Sequence, residues 1–165
     1  MVDEDDDPPL ESRPPTLKDL TDLCDALNSA GARYIVVGGM AMIQLGFVRA
    51  TEDIDLLVET SEANFDALRM AMLTLPDQAI REVSPTDLED YVVIRVADEI
   101  IVDLMARACG VDYQTAAPEA VITEVNGIPI PFASPELMWK LKQTLRQKDA
   151  VDRQFLARIL TDRED

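Results

Sequence analysis

Tyr34-Ile35-Val36-Val37-Gly38-Gly39, followed after residues 40–52 by Asp53-Ile54-Asp55-Leu56, is the stretch on which the reading of this chain turns. The first part has the β-branched centre of a buried strand and runs into a glycine pair. The second sets two carboxylates at period 2 within an apolar strand. Successive strand residues point to opposite faces, so Asp53 and Asp55 share one face while Ile54 and Leu56 take the other. Two carboxylates side by side repel each other and are costly among apolar neighbours. A cation between them would relieve both costs. With only oxygen donors at hand, Mg²⁺ or Mn²⁺ fits best. From the spacing alone, an edge strand whose acids face water fits equally well.

Asp103 shifts that balance. It lies in Ile100-Ile101-Val102-Asp103-Leu104-Met105, an apolar run long enough for a central strand, where a lone Asp needs a partner. Asp98 and Glu99 fall at the preceding turn and are expected to be solvated. Gly38-Gly39 before a short helix is turn chemistry by itself. It also lets a phosphate approach backbone N–H groups, and a phosphate chain calls for the same hard metal that the acids suggest.

Composition narrows the chemistry. The 165 residues suit one compact domain, and no histidine is present. That removes Ser-His and Cys-His catalysis and His-ligated zinc. The net charge of −17 argues against a broad electrostatic grip on nucleic acid. Residues 3–11 carry Asp3, Glu4, Asp5, Asp6, Asp7 and Glu11, so residues 1–15 are expected to be an acidic disordered tail, and residues 16–165 a single domain. The opposite bias comes late, with Lys140, Lys142, Arg146, Lys148, Arg153 and Arg158 against only Asp149 and Asp152 across residues 138–158. No signal peptide and no membrane span are expected, and two cysteines make no disulfide framework. A cytoplasmic protein is the resulting expectation.

The remaining elements follow from periodicity and punctuation. Thr16 caps a helix over 17–30, whose apolar stripe includes Cys24. Strands are expected over 33–37 and 53–59, and helices over 40–45 and 62–74. Residues 76–85 read as a loop with a short strand near Arg81. A hairpin over 91–96 and 99–105 turns at Ala97-Asp98, and a second turns at Asn126-Gly127, the favoured type I′ sequence. Residues 110–118 read as irregular or briefly helical. A helix from Glu136 to about Leu145 is expected to bury Leu137, Leu141 and Leu145, and a last one over about 149–161 to bury Val151, Phe155 and Ile159. The sum is an α+β pattern: a mixed central β-sheet flanked by helices, closed by a C-terminal helical pair.

Taken together, Val36-Val37-Gly38-Gly39, Asp53-Ile54-Asp55 and Val102-Asp103-Leu104 resemble the nucleotidyltransferase superfamily that includes DNA polymerase β. Arg49-Ala50-Thr51-Glu52-Asp53-Ile54-Asp55 and Arg146-Gln147-Lys148-Asp149-Ala150-Val151-Asp152 look like the small bacterial AbiEii-like branch, home to toxin nucleotidyltransferases and relatives of antibiotic-modifying ones. The resemblance spans roughly residues 30–160. It implies a nucleotidyltransferase fold, with Asp53, Asp55 and Asp103 as metal-binding and catalytic acids. It implies that Gly38 and Gly39 cradle an NTP triphosphate, that Arg49, Lys140, Lys142 and Lys148 contact phosphate, and that Thr51 fixes the loop. Asp149 and Asp152 would cap the last helix and hold Lys148 or Arg146. The implied reaction moves an NMP from an NTP to a hydroxyl of RNA (such as a tRNA end), protein or a small molecule. A toxin with an antitoxin-like partner is the implied context. Gly38-Gly39-Met40 stands where many antibiotic-modifying relatives carry Gly-Gly-Trp or Gly-Ser, which disfavours an antibiotic acceptor. The rival reading is a weak or inactive nucleotide-binding regulator on the same fold.

Overall fold

The computed structural model describes residues 11–164, with side chains through Arg163. Helix α1 spans Leu17–Ser29, and Thr16 and Asp19 cap it reciprocally. Strand β1 follows (Tyr34–Val37), then α2 (Gly38–Gln44), β2 (Asp53–Val58) and α3 (Glu62–Met72). A 3₁₀ turn at Ala79–Glu82 and the single-turn α4 (Asp87–Asp90) lead to β3 (Val93–Ala97) and β4 (Ile101–Met105). A small ribbon comes next, β5 (Arg107–Ala108) and β6 (Val111–Asp112), then α5 (Tyr113–Ala116). Strands β7 (Ala120–Val125) and β8 (Ile128–Ala133) precede α6 (Pro135–Leu141) and α7 (Gln147–Glu164).

The strands form one six-stranded mixed sheet in the order β3-β4-β2-β1-β8-β7. Strand β1 runs antiparallel to β2 and parallel to β8, and β2 runs parallel to β4. Each outer pair is a hairpin. All four residues of β1 are buried, as expected for a strand near the middle of a covered sheet. The apolar face of β2 sends Ile54 and Leu56 into the core beside Val102 and Leu104. Helix α1 packs on α3 and β8, α2 on β1 and β2, and α6 on α7. Cys24 sits wholly within this core, and burial pushes its thiol up to about 12, so it packs rather than reacts.

The expected α+β architecture is present, including the Asn126-Gly127 turn, where both residues adopt the left-handed φ that a type I′ turn requires. Several expectations change. Residues near Arg81 form a 3₁₀ turn rather than a strand. Cys109 and Gly110 both take left-handed φ and close the β5–β6 ribbon, whose second strand opens the segment expected to be irregular or briefly helical; α5 supplies the brief helix. Helix α6 stops at Leu141, so Leu145 falls in the connection to α7 and is fully exposed instead of buried. Helix α7 buries Asp149, Asp152 and Leu156, while Val151 is exposed and Phe155 and Ile159 are only partly covered. Its inward stripe is set by ion pairing as well as apolar burial.

Asp98 is another correction: it is buried, not solvated. Its two carboxylate oxygens accept from the backbone N–H groups of Asp77, Ala79 and Glu99, which ties the loop after α3 to the β3–β4 turn. The same turn holds the chain's approach to α1. Ser12 donates to the Asp98 carbonyl, and Arg13 N–H donates to the Glu99 carbonyl. Ser12 and Arg13, read as part of the acidic tail, are thus bonded to the turn, and residues 1–10 fall outside the described residues. Asp98→Ala leaves three backbone donors without their acceptor and should lower stability by about 2–3 kcal/mol, measured by urea denaturation; a change within about 0.5 kcal/mol would contradict the role given to this carboxylate.

Candidate functional site

Parallel pairing of β2 with β4 sets Asp55 beside Asp103, with Asp53 two residues earlier on the same face. One carboxylate oxygen from each of the three acids lies within 4.8 Å of the other two. Asp103 is buried and the other two are half-buried. Burial, followed by the charges of Asp53 and Asp103, pushes the Asp55 carboxyl up to about 7, against a smaller opposing pull from Lys142. Asp53 is raised as well, first by burial and then by the charge of Asp103. Burial leads in both cases, and like charges gathered with too little local compensation add to it. Oxygen-only donors in this arrangement fit a hard divalent cation.

Both glycines are required by side chains that press on α2. A Cβ at Gly38 would lie 1.9 Å from Asp55 Oδ2, and Gly38 itself has φ +66. A Cβ at Gly39 would lie 2.6 Å from Thr51 Oγ1. Thr51 Oγ1 donates to the Asp53 carbonyl and so pins the loop that delivers the first acid. The glycine pair, the threonine and the Asp-x-Asp strand are thus one packed unit.

An open cleft of about 390 Å³ lies over the acids. Gly38, Gly39, Arg49, Lys142 and Lys148 line it, together with Val93, Met105, Arg107 and Cys109. Arg49 is held by a buried ion pair with Asp152, and its guanidinium stacks over Phe47, which in turn meets Phe155 edge-on. Lys142 is almost buried. Its ammonium donates to Asp149 at 3.3 Å and lies 2.9 Å from Asp152 Oδ2, an attraction by charge without the angle of a hydrogen bond. Burial pushes the Asp149 carboxyl up, but the Thr144 hydroxyl and Lys142 more than offset it, so it ends below its ordinary value. Asp149 and Asp152 therefore hold Arg49 and Lys142 at the cleft. Of the two residues expected to be their partners, Arg146 is 3.8 Å from Asp149 and Lys148 is exposed. Lys140 is not brought to the cleft: it pairs with Glu119 at 3.0 Å on the outer surface.

Two cations of the cleft were not foreseen, Arg107 and Arg95, and Arg95 is the one bonded to the acids. Arg95 stands opposite Asp103 in the β3–β4 hairpin and donates to both of its oxygens at 3.0 Å, and to Asp53 at 3.3 Å. The sequence signal for it is hairpin register. A turn at Ala97-Asp98 would set Val92 opposite Asp103. The observed pairing of Ala97 with Ile101 sets Arg95 there instead.

The chain matches no protein-family model and no curated protein. Its structure does have solved neighbours. One is a candidate nucleotidyltransferase from Thermotoga maritima, 18% identical, with a TM-score of 0.54, covering 88% of this chain and 92% of that one. Another is an antigenic nucleotidyltransferase-like protein from Paracoccidioides brasiliensis, 19% identical, with a TM-score of 0.53, covering 85% of this chain and 72% of that one. The fold is that of the nucleotidyltransferases. At these identities the likeness is one of fold. Among the described residues, no helix is long and apolar enough to cross a membrane.

The raised Asp55 carboxyl gives a signed pH effect. A carboxyl whose folded value lies above its unfolded one favours the fold when protonated and loses that contribution as pH rises through about 7. In metal-free buffer at pH 8, Asp55→Asn should therefore raise the melting temperature by about 3 °C or more. The gap should shrink as pH falls from 8 towards 5. An equal or lower melting temperature for Asp55→Asn at pH 8 would contradict the cost assigned to burying this carboxylate beside two others.

Proposed function

We propose that this chain is a nucleotidyltransferase that moves an NMP from an NTP to an acceptor hydroxyl. The observation that carries the reading is the convergence of Asp53, Asp55 and Asp103 within 4.8 Å, beneath a cleft lined by Arg49, Lys142 and Lys148. Acids to hold a divalent cation and fixed cations to hold phosphate are the two halves that phosphoryl chemistry needs. The nucleotidyltransferase fold of the solved neighbours supports the same conclusion.

Asp53, Asp55 and Asp103 would hold Mg²⁺ or Mn²⁺. Bound there, the metal would neutralise charge on the triphosphate and on the developing pyrophosphate. The chain's own groups then have distinct tasks. Gly38 and Gly39 leave room for the triphosphate at the start of α2, where any side chain would strike Asp55 or Thr51. Lys142 and Arg49, fixed by Asp149 and Asp152, present positive charge to the phosphates without needing to be ordered at the moment of binding. Lys148 at the rim adds a further cation. Asp103 accepts the proton of the attacking hydroxyl. The oxygen then bonds to the α-phosphorus as the bond to the β-phosphate breaks and pyrophosphate leaves. Residues 16–165 carry all of this as one nucleotidyltransferase-like domain. The AbiEii-like branch, and with it a toxin role beside an antitoxin-like partner, rests on the Arg49–Asp55 and Arg146–Asp152 segments. The acceptor belongs to RNA, to a protein or to a small molecule.

The test is incubation of the full chain with each labelled NTP, Mg²⁺ and separate cell fractions of RNA, protein and small metabolites. Label should pass to one fraction, and Asp55→Ala and Lys142→Ala should each cut the transfer at least about 100-fold. Equal labelling by wild type and Asp55→Ala would contradict the assignment of the acids.

A further inference from the structure

Arg95 is on an edge strand and its side chain is 59% exposed, yet its guanidinium turns inward onto the acids. It grips Asp103 with two donors and reaches Asp53 with one of them. Among the described residues its side chain makes no other hydrogen bond, so nothing but these two acids holds it in place. The partners are much less exposed than it is, at 8% for Asp103 and 23% for Asp53. A guanidinium is planar and matches a carboxylate fork for fork, so both Asp103 oxygens are engaged.

Arg95 engages both oxygens of Asp103, so a cation bridging the triad has to share or displace one of those bonds. A divalent ion among Asp53, Asp55 and Asp103 would also stand close to a full positive charge, which opposes it. The long stem of Arg95 rises from the sheet edge beside an open cleft, so the side chain can swing clear without moving the backbone.

We propose that Arg95 is an internal counter-ion of the acid triad, a latch on Asp103 and Asp53 that a divalent cation must displace. This rests on the metal-site reading above and adds a competition to it. With the latch closed, two of the three acids are compensated and the metal-free fold is spared part of their repulsion. With the latch open, Asp103 is released to the metal and to the proton of the acceptor. Arg95 is thus a positioning residue: it acts through Asp103 and sets the metal concentration at which the site forms.

The test is calorimetric titration of the nucleotide-free full chain with Mn²⁺ for wild type, Arg95→Gln and Arg95→Lys. The edge position and exposure of Arg95 leave the core untouched in both variants. Arg95→Gln should bind Mn²⁺ about tenfold more tightly than wild type, and Arg95→Lys, which keeps the charge but loses the fork, should fall between them. Metal-free Arg95→Gln should also melt below wild type at pH 8, and saturating Mn²⁺ should close that gap. A side chain that merely braced the site would, on removal, leave Mn²⁺ binding unchanged or weaker, and either result overturns the latch while leaving the metal site standing. Failure of both wild type and Arg95→Gln to bind Mn²⁺ overturns the metal site, and the latch with it.

Discussion

Three carboxylates held within 4.8 Å of one another, on neighbouring parallel strands, are the constraint that the rest of this molecule answers. Left alone they repel, and partial burial deepens the penalty because it strips away the water that would screen them. The structure does not remove the conflict. It surrounds it with cations: Arg95 bonded to two of the acids, and Lys142 and Lys148 in the cleft, acting by charge on Asp55 and Asp53. Asp55 is still pushed up to about 7, so the compensation stops short. The proposed divalent-ion site requires such a shortfall, since full internal neutralisation would leave an ion nothing to gain.

The C-terminal region follows from the same constraint. Lys142 can sit almost buried beside the acids only because Asp149 and Asp152 share its charge, and Asp152 also holds Arg49 from the loop before β2. That network places two acids on the inward face of α7 beside Leu156. It also explains why α6 ends at Leu141. The chain has to turn there so that the Lys142 ammonium can face α7, and Arg153 donates to the Lys142 and Thr144 carbonyls that the turn leaves open. The cation-lined side of the cleft and the packing of α7 on α6 are therefore a single piece of structure.

These two halves differ in how far the sequence discloses them. The Asp53-x-Asp55 strand is readable because period 2 fixes which side chains share a face, and Gly38-Gly39 because two adjacent glycines after an apolar strand imply close approach. Asp103 is readable as a lone acid in an apolar run. Arg95 is hidden: it looks like any polar residue of a half-exposed strand, and only the hairpin register reveals that it faces Asp103. That register hangs on a turn whose buried Asp98 captures three backbone N–H groups, a feature that a solvated turn acid imitates perfectly in sequence. The α7 stripe is hidden for a related reason. Apolar spacing picks out Val151, Phe155 and Ile159, while the structure buries Asp149 and Asp152, whose partners Lys142 and Arg49 lie up to 103 residues away in the chain. Charges that are buried in pairs carry no hydrophobic signal.

The central claim is that the triad exists to hold a divalent cation with a nucleotide above it. The most direct measurement is anomalous diffraction from crystals grown with Mn²⁺ and a non-hydrolysable NTP. The account predicts a manganese peak among Asp53, Asp55 and Asp103, bonded to their oxygens, with the triphosphate along Gly38, Gly39 and Lys142. A triad that remains bonded to Arg95, with no manganese peak under saturating metal and nucleotide, would contradict it.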